Sequence, residues 1–318
     1  MNRKLPESTL IKLREFEPKL RRAAKYGQIR EAERIIKEIQ FLFVNDRSHY
    51  RILQAKNWYY QALLEDNQVN AAEQGFEAVR LRANHNTRTH LEATMLLGIC
   101  CLRKRDIESA KKYIREAIQS INSIKSDIRR NQLQKRILER IEVESILGQL
   151  SATTSTSIIN QDELHKKAVK MLQSKSDEEI YGLVGASIPQ DSLKLIENIK
   201  GYSMNLLPPH DQKLLVSPIP QSNITFGKKV IDTIKRTGWR TICDPDSQIY
   251  NLWKNQVPEV FNKGYFASAV AATCAKFSIG LPILAIGVVA ILMKYGAQEF
   301  CETFQPKDIM IYRTEKDD

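Results

Sequence analysis

The stretch Thr89–Ser123, THLEATMLLGICCLRKRDIESAKKYIREAIQSINS, decides the fold. It reads as two helices, one from about Thr89 to Lys104 and one from about Ile107 to Ser123, hinged at Arg105-Asp106 with Asp106 as N-cap of the second arm. A single hairpin of this kind has an apolar stripe that it cannot bury alone, so hairpins of this type stack on further copies. Reading outward, Ala110 has counterparts at Ala71 and Ala32, at a constant spacing of 39. In that register Ile114 aligns with Gly75 and Ile36, Ala117 with Ala78 and Ile39, Gly98 with Tyr59 and Leu20, and Cys101 with Ala62 and Ala23. Gly27 and Asn67 mark the earlier turns. Small residues recur where helices must cross closely, which places Ala71 and Ala110 at crossings too tight for a large side chain.

Leu97-Gly98, Ala110 and Ala117 stand at the spacing of the tetratricopeptide-repeat family, and residues 7–122 resemble that family. The departures are definite: the family period is about 34, Cys101 stands where Tyr is usual, and Ile114 stands where Phe is usual. The extra residues fall between units, around Asn84-His85-Asn86-Thr87, where polar turn formers cluster. The resemblance implies an α-solenoid whose first helices line a concave surface for a protein or peptide partner. Carried over residue by residue, that surface comprises Lys56, Tyr60 and Leu63 in the second unit and Glu92, Met95, Ile99 and Leu102 in the third. Lys56 and Tyr60 suit an acidic or aromatic-bearing segment, and packing of Tyr60 in the core is the competing role.

The whole chain is expected to be all-α: an α-solenoid of helical hairpins followed by a smaller helical module. The helical-repeat domain is expected over 1–150, with the amphipathic stretch Asp127–Leu150 as its cap. A linker is expected over 151–160, rich in Ser and Thr. Short helices follow over 161–202, with Ser176-Asp177-Glu178-Glu179 as a capping box, Asp191 as a second N-cap and Gly201 as a stop. A proline-rich linker covers 203–224 and the C-terminal helical module 225–318. Its apolar stretch Tyr265–Met293 is broken at Gly280-Leu281-Pro282, which predicts a hairpin with Ala267, Ala271, Ala275 and Ala285 at the close approach. The 17 uncharged residues between Lys276 and Lys294 fall short of the ~20 of a membrane-spanning helix. A buried hairpin is therefore expected, with membrane insertion the alternative. Phe226-Gly227, Cys243, Leu281-Pro282 and Phe300-Cys301 resemble a module at the ends of uncharacterised bacterial proteins, some from conflict or antiphage gene neighbourhoods. That resemblance brings no catalytic residues, and implies a second reading: repeats that sense and an apolar hairpin that acts on membranes.

Net charge is +11, and it is unevenly placed: residues 1–150 carry 29 Lys and Arg against 19 Asp and Glu, residues 151–318 carry 19 against 18. The basic surface of Arg103, Lys104, Arg105, Lys112, Arg129 and Arg130 reads either as a solvated helix face or as a nucleic-acid contact. No phosphate-binding loop, dinucleotide fingerprint, nucleophile elbow or metal-spaced histidine pair is present in the sequence, so a non-enzymatic chain without metal or cofactor is expected. The nearest nucleophilic arrangement is a Cys243 or Cys301 thiolate with His210 as base, which nothing orients. Cys100-Cys101 reads as core, and His85 and His90 read as solvent-facing loop residues. Five cysteines and an N-terminus unlike a signal peptide fit a reducing cytoplasm.

Overall fold

In the computed structural model every described element is an α-helix, and residues 5–121, 124, 126–151, 160–209, 212, 222–255 and 264–306 are described. The chain divides into two compact units: Met1–Ile141 with Ile199–Leu215 and Lys307–Asp318, and Glu142–Asn198 with Val216–Pro306. The divisions fall within helices α7 (Asp127–Leu150) and α10 (Gln190–Asn205).

The first unit is built from three hairpins: α1 (Glu7–Tyr26) with α2 (Ile29–Leu42), α3 (Tyr50–Glu65) with α4 (Val69–Arg80), and α5 (Arg88–Lys104) with α6 (Ile107–Ile121). Each packs on the next through both its helices, α1 and α2 on α3, then α3 and α4 on α5, an arrangement compatible with a helical repeat. The turns are the same device used three times. Gly27, Asn67 and Arg105 all take left-handed φ, at 63°, 66° and 63°. The next N–H then returns to the carbonyl five residues back at 2.9 Å, Gln28 to Ala23, Gln68 to Leu63 and Asp106 to Cys101, which satisfies carbonyls that a helix end would leave bare. Asp106 caps α6 by accepting from the Ser109 N–H at 3.1 Å, as expected.

These turns set the true register, with intervals of 40 and 38 in place of a constant 39. Five residues after each turn lie Ala32, Ala72 and Ala110, all fully buried, and nine after lie the buried Ile36, Phe76 and Ile114. Ala71, expected at a tight crossing, is exposed. One residue of slip on a helix is about 100° of rotation, enough to exchange core for solvent. The second hairpin has its own close fit: a Cβ at Gly75 would lie 2.2 Å from the Tyr60 ring, so that ring lies flat on the α4 backbone only because the glycine is there.

The second unit comprises the end of α7, α8 (Gln161–Ser174), α9 (Asp177–Ala186), most of α10, and α11 (Asn223–Cys243), α12 (Gln248–Lys254), α13 (Tyr265–Lys276), α14 (Pro282–Tyr295) and α15 (Ala297–Thr303). The Ser176–Glu179 capping box forms as expected. Asp191 stands in the first turn of α10, because that helix begins at Gln190. Helices α9 and α11 cross backbone on backbone at Gly185 and Gly227. The apolar hairpin is α13 and α14, with Pro282 opening α14, where a missing N–H leaves no bond unmade. Leu284, Ala285 and the run Gly287–Leu292 are buried, and α14 packs on α8, α9 and α13. Ala267 and Ala285 are in the core as expected, but Ala275 is exposed and Ala271 only half-buried, since α13 turns Val270, Thr273 and Cys274 inward. Trp239 donates from Nε1 to the Cys301 carbonyl at 3.0 Å, and Cys243 is disulfide-bonded to Cys301, fastening α15 to the end of α11. Neither sulfur is then a thiolate, which removes the nucleophile considered from sequence; His210 lies outside the described residues. Among the described residues no single helix is long and apolar enough to cross a membrane, and only the bent pair α14–α15, turned by 97°, meets that test by length and composition.

Candidate functional site

The expected partner surface divides sharply. Met95 and Ile99 are fully buried, Glu92 is 1% exposed, and Leu63 is 6% exposed. For those on α5 the reason is that every residue from Thr89 to Arg103 is buried, so this helix has no face left for a partner. Glu92 is held inside as an acceptor for Arg88 and Gln54. Leu102 is 1% exposed, and with it these five positions are corrected from surface to core.

Lys56 and Tyr60 keep partial access, and they have company that the sequence did not reveal. Arg47, from the connection before α3, and Arg82, just beyond α4, both lie near enough to Lys56 to act on its charge. Burial first, then Arg82, then Arg47 push the Lys56 ammonium below its ordinary range, because each disfavours the charged form. Among the described residues no carboxylate forms an ion pair with any of these three cations. The phenol of Tyr60 is raised, by burial and then Tyr59, against the opposing pull of Arg82. Its ring meets Phe76 edge-on at 6.0 Å and Tyr59 at 5.3 Å. The connection that carries Arg47 is anchored by His49, 7% exposed, which stacks on Phe43 at 4.9 Å and accepts from the Arg51 N–H. Around the second hairpin three cations thus stand beside a packed aromatic ring, without an ion-pair partner among the described residues.

The basic run that carried most of the sequence charge is engaged within the fold to a large extent. Arg103 is buried and donates to the Leu64 carbonyl, so it is corrected from surface to interior. Lys104 pairs with Glu73 at 2.7 Å, Lys111 with Glu108 at 3.1 Å, Arg130 with Asp127 at 2.6 Å, and Arg140 with Glu65. Arg115 donates to the Tyr202 hydroxyl at 2.9 Å. Arg105, Lys112 and Arg129 remain exposed.

No protein-family model, curated protein or solved structure matches this chain.

The sequence also misplaced a histidine. His90 is 1% exposed, in the first turn of α5, where its ring lies 4.6 Å from that of His85. His85 is exposed, as expected. Burial was hidden because His90 follows a polar loop; the signal was that α5 is apolar on every face from Met95 to Leu102, which marks a helix covered on every side.

Proposed function

We propose that the chain is a non-enzymatic interaction scaffold of tetratricopeptide-like hairpins that docks an acidic protein segment on its second hairpin. The observation that carries this reading is the convergence of Lys56, Arg47 and Arg82, with no counter-ion among the described residues. Cations brought together without anions repel one another, and that repulsion is relieved when a partner supplies carboxylates. Tyr60, half-buried with its ring packed against Phe76, offers the amphipathic contact usual at interface centres.

The test uses the full chain and a fluorescein-labelled peptide of Asp and Glu with one Phe. Binding should weaken at least tenfold in Lys56→Gln and Arg82→Gln, and should fall as salt is raised, since exposed charges are screened within about 10 Å at 0.1 M. Absence of binding, or binding in both variants as tight as in the parent, would remove the proposal. Tight binding of single-stranded RNA instead, lost on changing Arg105, Lys112 and Arg129 together, would install the nucleic-acid reading.

The membrane-effector reading draws on the bent α14–α15 pair. Its discriminating measurement is dye release from anionic vesicles by the full chain, which the scaffold reading expects to be nil.

A further inference from the structure

The turn between α4 and α5, the start of α5 and the side of α6 bring three ligand-type residues to one point. One ligand atom each from His85, His90 and Glu116 lies within 4.8 Å of the others. Glu116 Oε1 is 3.7 Å from His90 Nε2. That nitrogen is buried and has no hydrogen-bond partner.

The other ring nitrogen explains which way His90 faces. Its Nδ1 lies 3.5 Å from Thr94 Oγ1, and the Thr94 hydroxyl lies 2.8 Å from the carbonyl of His90. A carbonyl only accepts, so the single hydroxyl proton of Thr94 goes there, and Oγ1 can only accept from Nδ1–H. The neutral ring then carries its proton on Nδ1 and turns a bare lone pair on Nε2 toward a carboxylate oxygen. Two acceptors facing each other require something positive between them. A proton shared between the two is one answer. The alternative is a metal cation, which imidazole Nε2 binds in its neutral form.

We propose that His85, His90 and Glu116 form a binding site for a divalent transition-metal ion of the zinc class. Two imidazoles and one carboxylate suit zinc, and exclude calcium and magnesium, which take oxygen ligands almost alone. Thr94 is the outer partner that fixes the His90 tautomer. Arg80 holds both oxygens of Glu116, at 3.0 and 2.9 Å, and orients the carboxylate, while its charge opposes the incoming ion. The site is therefore weaker than a closed four-ligand zinc site. With three protein ligands and His85 at the surface, a fourth position faces water. The bound ion would tie the α4–α5 turn to α6, joining the second hairpin to the third.

The experiment takes the full chain, free of any affinity tag and stripped with chelator, and titrates Zn2+ by calorimetry, Co2+ by visible absorption and Mg2+ as control. One Zn2+ per chain is expected, with Co2+ bands of nitrogen and oxygen ligation and no response to Mg2+. His85→Ala and Glu116→Gln should each weaken Zn2+ binding at least tenfold. His85 is exposed and sits in a connection outside the helices, so His85→Ala keeps the fold and decides the matter if Glu116→Gln, which disturbs Arg80, does not. Three results would each overturn the proposal: no Zn2+ bound at millimolar concentration, affinity unchanged in His85→Ala, or a thiolate-to-cobalt band that points to Cys100, Cys101 or Cys274.

Discussion

Replacing Gly227 by Ala tests the closest approach to a glycine among the described residues. The added Cβ would lie 1.8 Å from the Tyr181 carbonyl oxygen and 2.8 Å from the Gly185 nitrogen, all backbone atoms. Carbon and carbonyl oxygen rest about 3.3 Å apart in such contacts, so α9 and α11 must separate by about 1.5 Å. No side chain can rotate aside to absorb that shift. Overpacking of this kind reaches about 3 kcal/mol. Against it stands the helix preference for Ala over Gly, about 1 kcal/mol. The net loss is about 2 kcal/mol, which lowers the melting temperature by roughly 4–8 °C for a unit of about 150 residues. Gly201 supplies the control, since it too lies in a helix, is exposed, and a Cβ there meets nothing within 4 Å. Gly201→Ala should stabilise by about 0.5–1 kcal/mol, from propensity and the entropy of the unfolded chain. Both variants are compared with the parent by scanning calorimetry and urea titration followed by circular dichroism. A Gly227→Ala protein as stable as Gly201→Ala would refute the backbone-on-backbone crossing.

Ala72→Leu should cost about 1–3 kcal/mol by overpacking, whereas Ala71→Leu should stay within about 0.5 kcal/mol; urea midpoints that reverse this order would restore the constant register. Lys56 has a folded-state pKa below its unfolded value, so the unfolded chain binds more protons in the window between the two, and stability must rise with pH there, up to the ordinary lysine value near 10.5. Lys56→Met should lack that rise, and parallel pH–stability curves would refute the crowding of cations. Replacing Cys243 and Cys301 by Ser opens a loop spanning 58 residues and should cost about 4 kcal/mol on chain-entropy grounds, read as a fall in urea midpoint that reductant imposes on the parent as well.

Much of the fold was legible because it is local. Gly27, Asn67 and Asp106 marked turns that the structure places at those positions, and Leu281-Pro282 marked the corner of the apolar hairpin. The register was harder. An apparent period of 39 is the mean of 40 and 38, and an average conceals a slip of one residue at the middle unit. The candidate site was legible only in Lys56 and Tyr60, which share a helix face. Arg47 and Arg82 belong to connections on either side of the second hairpin, and no periodicity links a connection to a helix. His85, His90 and Glu116 meet across a turn and two helices, without the fixed spacing that makes a metal motif readable. The pairing of Cys243 with Cys301 depends on where α15 folds back, which spacing does not encode.

The disulfide has a mechanical consequence. Both arms of the apolar hairpin lie between Cys243 and Cys301, inside a covalent ring of chain. A molecule pulled from its two ends would leave that ring slack and unloaded even after every helix outside it had unravelled. The ring withholds roughly 200 Å of contour at about 3.4 Å per residue. Force can reach α13 and α14 along the chain only after the sulfur bridge is cut, so for tension acting on this protein the chemical state of two atoms decides which helices bear load.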